Sequence, residues 1–190
     1  MLWYDHQDYP QYKSWSALKK LLEEFLCPSL HGKISYFYTT YHKNRNTNMY
    51  GRASIRYLKK ELVSFSWDAD YYKQWPDWLS AIEQITDEAV ECAGSYQEAA
   101  NQAYADLMRE KWLPGATLCN HDFFRAAAEY IHMDVATALV SDNFLFRIFA
   151  FMDRRVGKRT LAKIKEDALS LPAWARQFYV LRCNAEELSL

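Results

Sequence analysis

The chain has 190 residues, of which 50% are hydrophobic and 16% aromatic, and its formal net charge at pH 7 is −1. This composition excludes a disordered chain, and the length predicts a single domain, since domains typically contain about 100 to 200 residues. The most apolar run, Phe144–Met152, contains Arg147 and is too short for a membrane-spanning helix, which needs about 18 uncharged residues.

The N-terminal residues 1–13 are polar and aromatic, and they carry acidic residues where a signal peptide needs a basic start. We expect a cytoplasmic protein with an N-terminal tail that forms no helix or strand. The aromatic side chains of this tail are interpreted as a segment that folds over an apolar groove of the chain or of a partner: Trp3, Tyr4, Tyr9 and Tyr12.

The next segment predicts a helix followed by a strand. Ser14 is a good N-cap, and leucines at helical spacing continue the helix until it ends near Cys27. β-branched and aromatic residues then predict a strand over residues 33–42, and an asparagine-rich loop follows it.

A hairpin is predicted from the alternation of side chains in the next two runs. Its strands are residues 52–57 and 61–67, and residues 58–60 form the bend. One face carries Ala53, Ile55 and Tyr57 and is expected to face the core. The opposite face is expected to be exposed and carries Arg52, Ser54 and Arg56.

Beyond Trp67 the hydrophobic period becomes helical. One helix is predicted around Trp75 and Trp78, with Pro76 in its first turn, and Asn120 is a predicted cap further along. The other predicted helices cover residues 96–107, 120–130, 134–140, 144–155 and 158–164, with a last one after Pro172. Four tryptophans in these stripes are expected in the core: Trp75, Trp78, Trp112 and Trp174.

These elements define an α+β fold, with an N-terminal helix plus a three-stranded antiparallel meander followed by an all-helical C-terminal half. Residues 14–190 are predicted to form a single domain, strand-bearing over residues 14–67 and helical over residues 68–190.

The charges are sorted along the chain. Residues 25–60 contain no acid, residues 61–110 carry many acids against only Lys73 and Arg109, and residues 144–165 are basic except for Asp153. Such blocks can attract one another or an outside partner.

The first candidate anion- or partner-binding site is the basic block formed by Arg154, Arg155, Lys158 and Arg159. Gly157 is interpreted as a helix C-terminal glycine and Lys158 as the start of the next helix, where backbone amides attract phosphate or carboxylate. The alternative is structural, with Arg154 or Arg155 complementing the helix dipole or pairing with the acidic middle of the chain.

The second candidate is the outer hairpin face with Arg52 and Arg56. The order of elements is similar to that of a double-stranded RNA-binding module, which uses lysines at the start of its second helix. This chain has Asp68 and Asp70 there, which disfavours nucleic acid. The alternative interpretation is a charged edge that prevents the hairpin from pairing with other sheets.

Catalytic and metal-binding patterns are weak. Cys119-Asn120-His121-Asp122 brings a thiol, an imidazole and a carboxylate close together, but the start of a helix explains the segment better. The sequence has no metal-ligand spacing and no glycine-rich cofactor motif, so we expect no metal and no cofactor. The four cysteines lie far apart, which favours free thiols: Cys27, Cys92, Cys119 and Cys183.

Several segments together resemble an uncharacterised family of small bacterial proteins without an assigned activity. They are Trp15-Ser16-Ala17-Leu18-Lys19-Lys20, the hairpin that begins Gly51-Arg52-Ala53 and ends Ser64-Phe65, Ser141-Asp142-Asn143, the block from Asp153 to Arg159, and Phe178 to Cys183 with Ala185-Glu186. The tail before Trp15 and the tryptophan-rich centre depart from the family. The resemblance implies a bacterial origin and an intracellular setting, but no catalytic residue.

The sequence therefore favours a non-enzymatic cytoplasmic interaction protein whose basic surface binds an acidic protein or another anion. Nucleic-acid binding through the same surfaces is the alternative. An enzyme with an unfamiliar site is the third hypothesis.

Overall fold

The computed structural model of the chain describes residues 14–40 and 51–189, without the side chains of residues 67–73. The predicted tail, including its aromatic residues, and the predicted asparagine-rich loop lie outside the described residues. Four cysteines fall within the described ranges, and all four are free thiols.

The strand-bearing part begins with helix α1 (Trp15–Phe25), which Ser14 caps by accepting a hydrogen bond from Ala17 N. Strands β1 (Ile34–Thr40), β2 (Gly51–Tyr57) and β3 (Lys60–Ser66) follow in an antiparallel sheet of order β1-β2-β3. The predicted helix and meander are thus confirmed. Gly51 is required at the start of β2, because a Cβ there would lie 2.3 Å from Thr39 O.

The described residues after the sheet are mostly helical, as predicted, although no helix was predicted over residues 87–93 or 165–170. They are α2 (Trp67–Glu83), α3 (Asp87–Ala93), α4 (Tyr96–Leu107), α5 (Asn120–Tyr130), α6 (Val135–Leu139), α7 (Phe144–Met152), α8 (Lys158–Lys163), α9 (Lys165–Ser170) and α10 (Ala173–Ala185), with a π-helical turn Met108–Trp112 after α4. None of the helices in the described ranges is both long and apolar enough to cross a membrane.

Several local predictions were wrong for identifiable reasons. Pro76 lies inside α2, because this helix begins at Trp67, which was predicted to end a strand. Cys119, not Asn120, is the N-cap of α5, and its backbone N donates to Asp122 Oδ2 at 2.8 Å. Trp75 is 43% exposed, whereas Trp78 and Trp112 are buried as expected.

The main hydrophobic core joins the sheet to the helices. Phe123 of α5 lies at its centre, with ring centroids 5.6 Å from Phe65 of β3, 6.4 Å from Tyr36 of β1 and 5.8 Å from Phe149 of α7. A smaller cluster packs α2 against α4 and the π-helical turn around Trp78, Ala100 and Trp112.

Candidate binding surface

The two arginines of the hairpin face are not free cations. Arg56 Nη2 donates to Glu61 Oε1 at 3.1 Å, Arg52 donates to Glu61 Oε2, and the Arg56 guanidinium lies over the Phe37 ring. Burial raises the pKa of the Glu61 carboxyl, but hydrogen bonding and the charges of Arg52 and Arg56 outweigh it and hold the pKa below its usual value. Ser54, predicted to be exposed beside them, is fully buried.

The basic block is built differently from the prediction. Helix α7 ends at Met152, since Asp153 leaves the helix and forms an isolated antiparallel bridge with Leu26. Gly157 is therefore not a helix C-terminal glycine: it is the N-cap of α8, with a φ of −84°. Lys158 starts α8 as predicted. A short loop over residues 153–157 thus carries the first two arginines of the block.

Asp153 anchors this loop from inside. Its side chain is only 1% exposed, and its Oδ2 accepts from Tyr130 Oη at 2.5 Å and from Arg155 Nη2 at 2.7 Å. Its Oδ1 accepts from Arg155 N at 2.7 Å. Burial and then the Asp153 carboxylate raise the pKa of the Tyr130 phenol above its usual value, so the phenol keeps its proton and donates it.

Arg155 is held in place by these contacts. Its guanidinium lies 4.4 Å from the centroid of the Phe25 ring, and Nη1 donates to Met133 O at 3.4 Å. The hydrogen bond to Asp153 raises the pKa of Arg155, which stays charged. The structural alternative predicted that Arg154 or Arg155 pairs with the acidic middle of the chain. Arg155 pairs with Asp153 instead.

Arg182 of α10 supports the same loop from below. It is 2% exposed, and its guanidinium donates to the main-chain oxygens of Met152 and Asp153, each at 3.4 Å, and of Val156 at 2.9 Å. Glu186, one helical turn later, pairs with Arg182 at 3.0 Å. The loop is therefore fixed by the partly exposed Asp153–Arg155 ion pair and by the hydrogen bonds that buried Arg182 donates to its carbonyl groups.

Three side chains of the basic block project from this fixed loop and from α8. Arg154, Lys158 and Arg159 are exposed. Within the described residues Lys158 Nζ donates to Glu186 O at 2.9 Å, and the side chains of Arg154 and Arg159 have no hydrogen bond or ion pair. Of the predicted site residues, these three present their charge to solvent.

A second group of cations is connected to the first through the turn of residues 27–33. Lys33, Lys59 and Lys60 are exposed at the closed end of the hairpin, and the described part of the chain provides no ion pair for any of them. The short turn of residues 27–33 links the two groups: Cys27 N donates to Met152 O at 2.9 Å at one end, and Leu58 N donates to Lys33 O at 2.8 Å at the other. We call these six cations the basic surface: Lys33, Lys59, Lys60, Arg154, Lys158 and Arg159.

A shallow depression of about 360 Å³ lies beside Lys158, which is the one residue of the basic surface that lines it. Pro28 and Ser29 of the turn line it together with Lys158, Glu186 and Glu187. The Glu186 carboxylate is already occupied by Arg182 and by Ser29, whose Oγ donates to it at 3.4 Å. In the described ranges, no ion pair joins the basic residues 144–165 to the acidic run 61–110.

The other chemical candidates do not form a reactive site. Cys119 is fully buried, and burial, with the nearby Asp122, raises the pKa of its thiol well above the usual value. Among the described residues, no group of histidine, cysteine, aspartate or glutamate side chains is arranged to hold a metal ion.

Thiol reactivity follows from these environments. We expect the folded protein to react rapidly with one equivalent of a thiol reagent, at Cys92, the exposed cysteine of α3. Cys27, Cys119 and Cys183 are buried and should react only after unfolding. Titration with a chromogenic disulfide reagent, with and without denaturant, measures this, and Cys92→Ser should lose the rapid equivalent. A rapid second equivalent would contradict the burial of the other three.

The fold defines the class of protein: an α+β protein in which a helix and a three-stranded meander are followed by a helical half. The fixed loop of residues 153–157 carries part of its basic surface. The chain belongs to the SF0329 protein family, whose model matches residues 14–183. The predicted resemblance to a family without an assigned activity is thereby confirmed, and the predicted tail lies outside the match. No curated protein and no solved structure shows significant similarity to the chain.

Proposed function

We propose that this chain is a non-enzymatic interaction protein, cytoplasmic and of bacterial origin, that binds an acidic protein segment through the basic surface. The observation that carries the proposal is the contrast within one loop. The Arg155 guanidinium is bound to Asp153 and Tyr130 and lies over the Phe25 ring. The Arg154 side chain, on the same fixed backbone, has no hydrogen bond or ion pair in the described structure. Because the loop backbone is already fixed, binding through Arg154 has no entropy cost for ordering the backbone and only that of ordering the side chain.

The proposal differs from the predicted site in its residues. Arg52 and Arg56 are left out of direct contact, because both guanidinium groups already bind the Glu61 carboxylate and that of Arg56 also lies over the Phe37 ring. Arg155 acts as a positioning residue for its neighbours. Lys33, Lys59 and Lys60 are added, because the turn of residues 27–33 connects the end of the hairpin to Met152, directly before the loop that carries Arg154.

A double charge reversal tests the proposal. We expect Arg154→Glu/Arg159→Glu to weaken binding to poly-L-glutamate by roughly tenfold or more, because two attractions become repulsions. Binding of the unaltered protein should also weaken between about 50 and 200 mM salt, since exposed charges are screened. Fluorescence anisotropy with labelled poly-L-glutamate measures both effects.

The matched control reverses two exposed cations elsewhere, Lys20 of α1 and Arg176 of α10. Lys20→Glu/Arg176→Glu produces the same net charge and should leave most of the binding. Equal losses in the two variants would mean that net charge alone drives the association. Tighter binding to a mixed RNA and DNA pool than to poly-L-glutamate would replace the acidic protein by nucleic acid.

A further inference from the structure

Leu58, at the tip of the hairpin, has two features that are unusual for leucine: a positive φ angle and a largely exposed side chain. Leu58 and Lys59 form the two-residue turn of the hairpin with φ angles of 48° and 71°. Asparagine and glycine adopt this left-handed region easily, whereas the Cβ of leucine crowds the following carbonyl oxygen. Leu58 is also 62% exposed, so burial within the chain does little to offset that strain.

The surroundings of Leu58 are cationic. Lys59 and Lys60 follow it directly, and its backbone N donates to Lys33 O. These three lysines belong to the basic surface, so the exposed leucine side chain lies next to three cations that have no ion pair within the described residues. Interfaces commonly combine an apolar centre with a polar rim, and a few buried side chains supply most of the binding energy.

We propose that Leu58 is the apolar anchor of the basic surface, and that the partner is an acidic protein segment carrying an apolar or aromatic side chain. This inference rests on the proposed function. Charge complementarity selects an acidic segment, and the strained leucine selects an apolar group within it. Residues with strained backbone angles cluster at active sites and ligand-binding sites, so the positive φ of Leu58 supports a role in binding.

The test separates charge from apolar contact with two probes, poly-L-glutamate and a random glutamate–tyrosine copolymer. We expect the unaltered protein to bind the copolymer more tightly. Leu58→Asn should lose that preference, by roughly tenfold, while its binding to poly-L-glutamate is unchanged. Because asparagine tolerates a positive φ, the melting temperature of Leu58→Asn should be unchanged or higher. Val140→Asn is the control, since Val140 is 75% exposed and lies outside the basic surface.

The outcomes distinguish the two proposals. Failure of the unaltered protein to bind poly-L-glutamate at low salt refutes the proposed function. If poly-L-glutamate binds but the copolymer preference is absent, or is kept by Leu58→Asn, the anchor is wrong and the function stands. Tighter binding to vesicles of phosphatidylserine and phosphatidylcholine than to the copolymer, lost in Leu58→Asn, would overturn the acidic protein as the partner.

Discussion

Replacing Asp153 by asparagine is expected to lower the free energy of unfolding by about 3 kcal/mol, which is in the range for breaking a buried ion pair. The carboxylate is 1% exposed and accepts from both Tyr130 and Arg155. Asparagine keeps the size but removes the charge. Its single amide oxygen cannot replace both Oδ2, which accepts from Tyr130 and Arg155 Nη2, and Oδ1, which accepts from Arg155 N. The loss stays below the upper end of that range, because the Arg155 side chain is one-third exposed and regains some solvent. Urea denaturation followed by circular dichroism measures it.

Two further variants rank the contributions within this network. Tyr130→Phe removes a single hydroxyl donor to Asp153 and should cost about 1 kcal/mol. Asp142→Asn changes an exposed carboxylate without a described partner and should stay within about 0.5 kcal/mol. If Asp153→Asn were no more destabilising than Asp142→Asn, the buried ion pair would not hold the loop.

Asp153→Asn also distinguishes two effects on binding at the basic surface: the loss of a negative charge and the loss of the fixed loop that positions Arg154. Asp153→Asn removes a negative charge beside Arg154, so charge alone would strengthen binding to poly-L-glutamate. If the fixed loop is what presents Arg154, binding should weaken instead, although the protein remains folded. Because the two effects change binding in opposite directions, the variant tests the proposed function as well as the stability of the protein.

The fold was predictable where local patterns decide it. Alternation predicted the two hairpin strands, β-branched and aromatic residues predicted the first strand, and Ser14 and Pro28 placed the ends of the first helix within two residues. The pairing of Glu61 with Arg56 could also have been found. Once a two-residue turn at Leu58 and Lys59 is recognised, the hairpin register places Glu61 directly opposite Arg56. The sequence signal was present but was interpreted as an exposed basic face.

The candidate site depended on long-range contacts that spacing does not encode. Arg154 and Arg155 are adjacent in sequence, yet only Arg155 pairs with Asp153. Asp153 is buried where its backbone forms the bridge with Leu26. Arg182 was not singled out, although a signal existed. It lies four residues after Phe178, on the buried face of α10. A cation at such a position predicts buried acceptors, here the carbonyl groups of the loop.

Replacing Arg182 by methionine is expected to have the other large effect, a loss of about 3 to 4 kcal/mol in the free energy of unfolding. Methionine fills similar space but donates nothing, so the carbonyl groups of Met152, Asp153 and Val156 lose their buried donor. Glu186→Gln should cost less, about 1 kcal/mol, because Ser29 still donates to that side chain and 14% of it is exposed. Chemical denaturation measures both variants.

The combination of the two substitutions tests how Arg182 acts. Once Arg182 is methionine, Glu186 has no ion-pair partner to lose, so the double variant should be close in stability to Arg182→Met alone. Arg176→Met is the matched control, since it makes the same change on the same helix at an exposed arginine with one bond, to Leu169 O. That control should stay within about 0.5 kcal/mol of the unaltered protein. If Arg182→Met were equally mild, the carbonyl bonds would not be needed to fix the loop, and Asp153 alone would have to position Arg154 for binding.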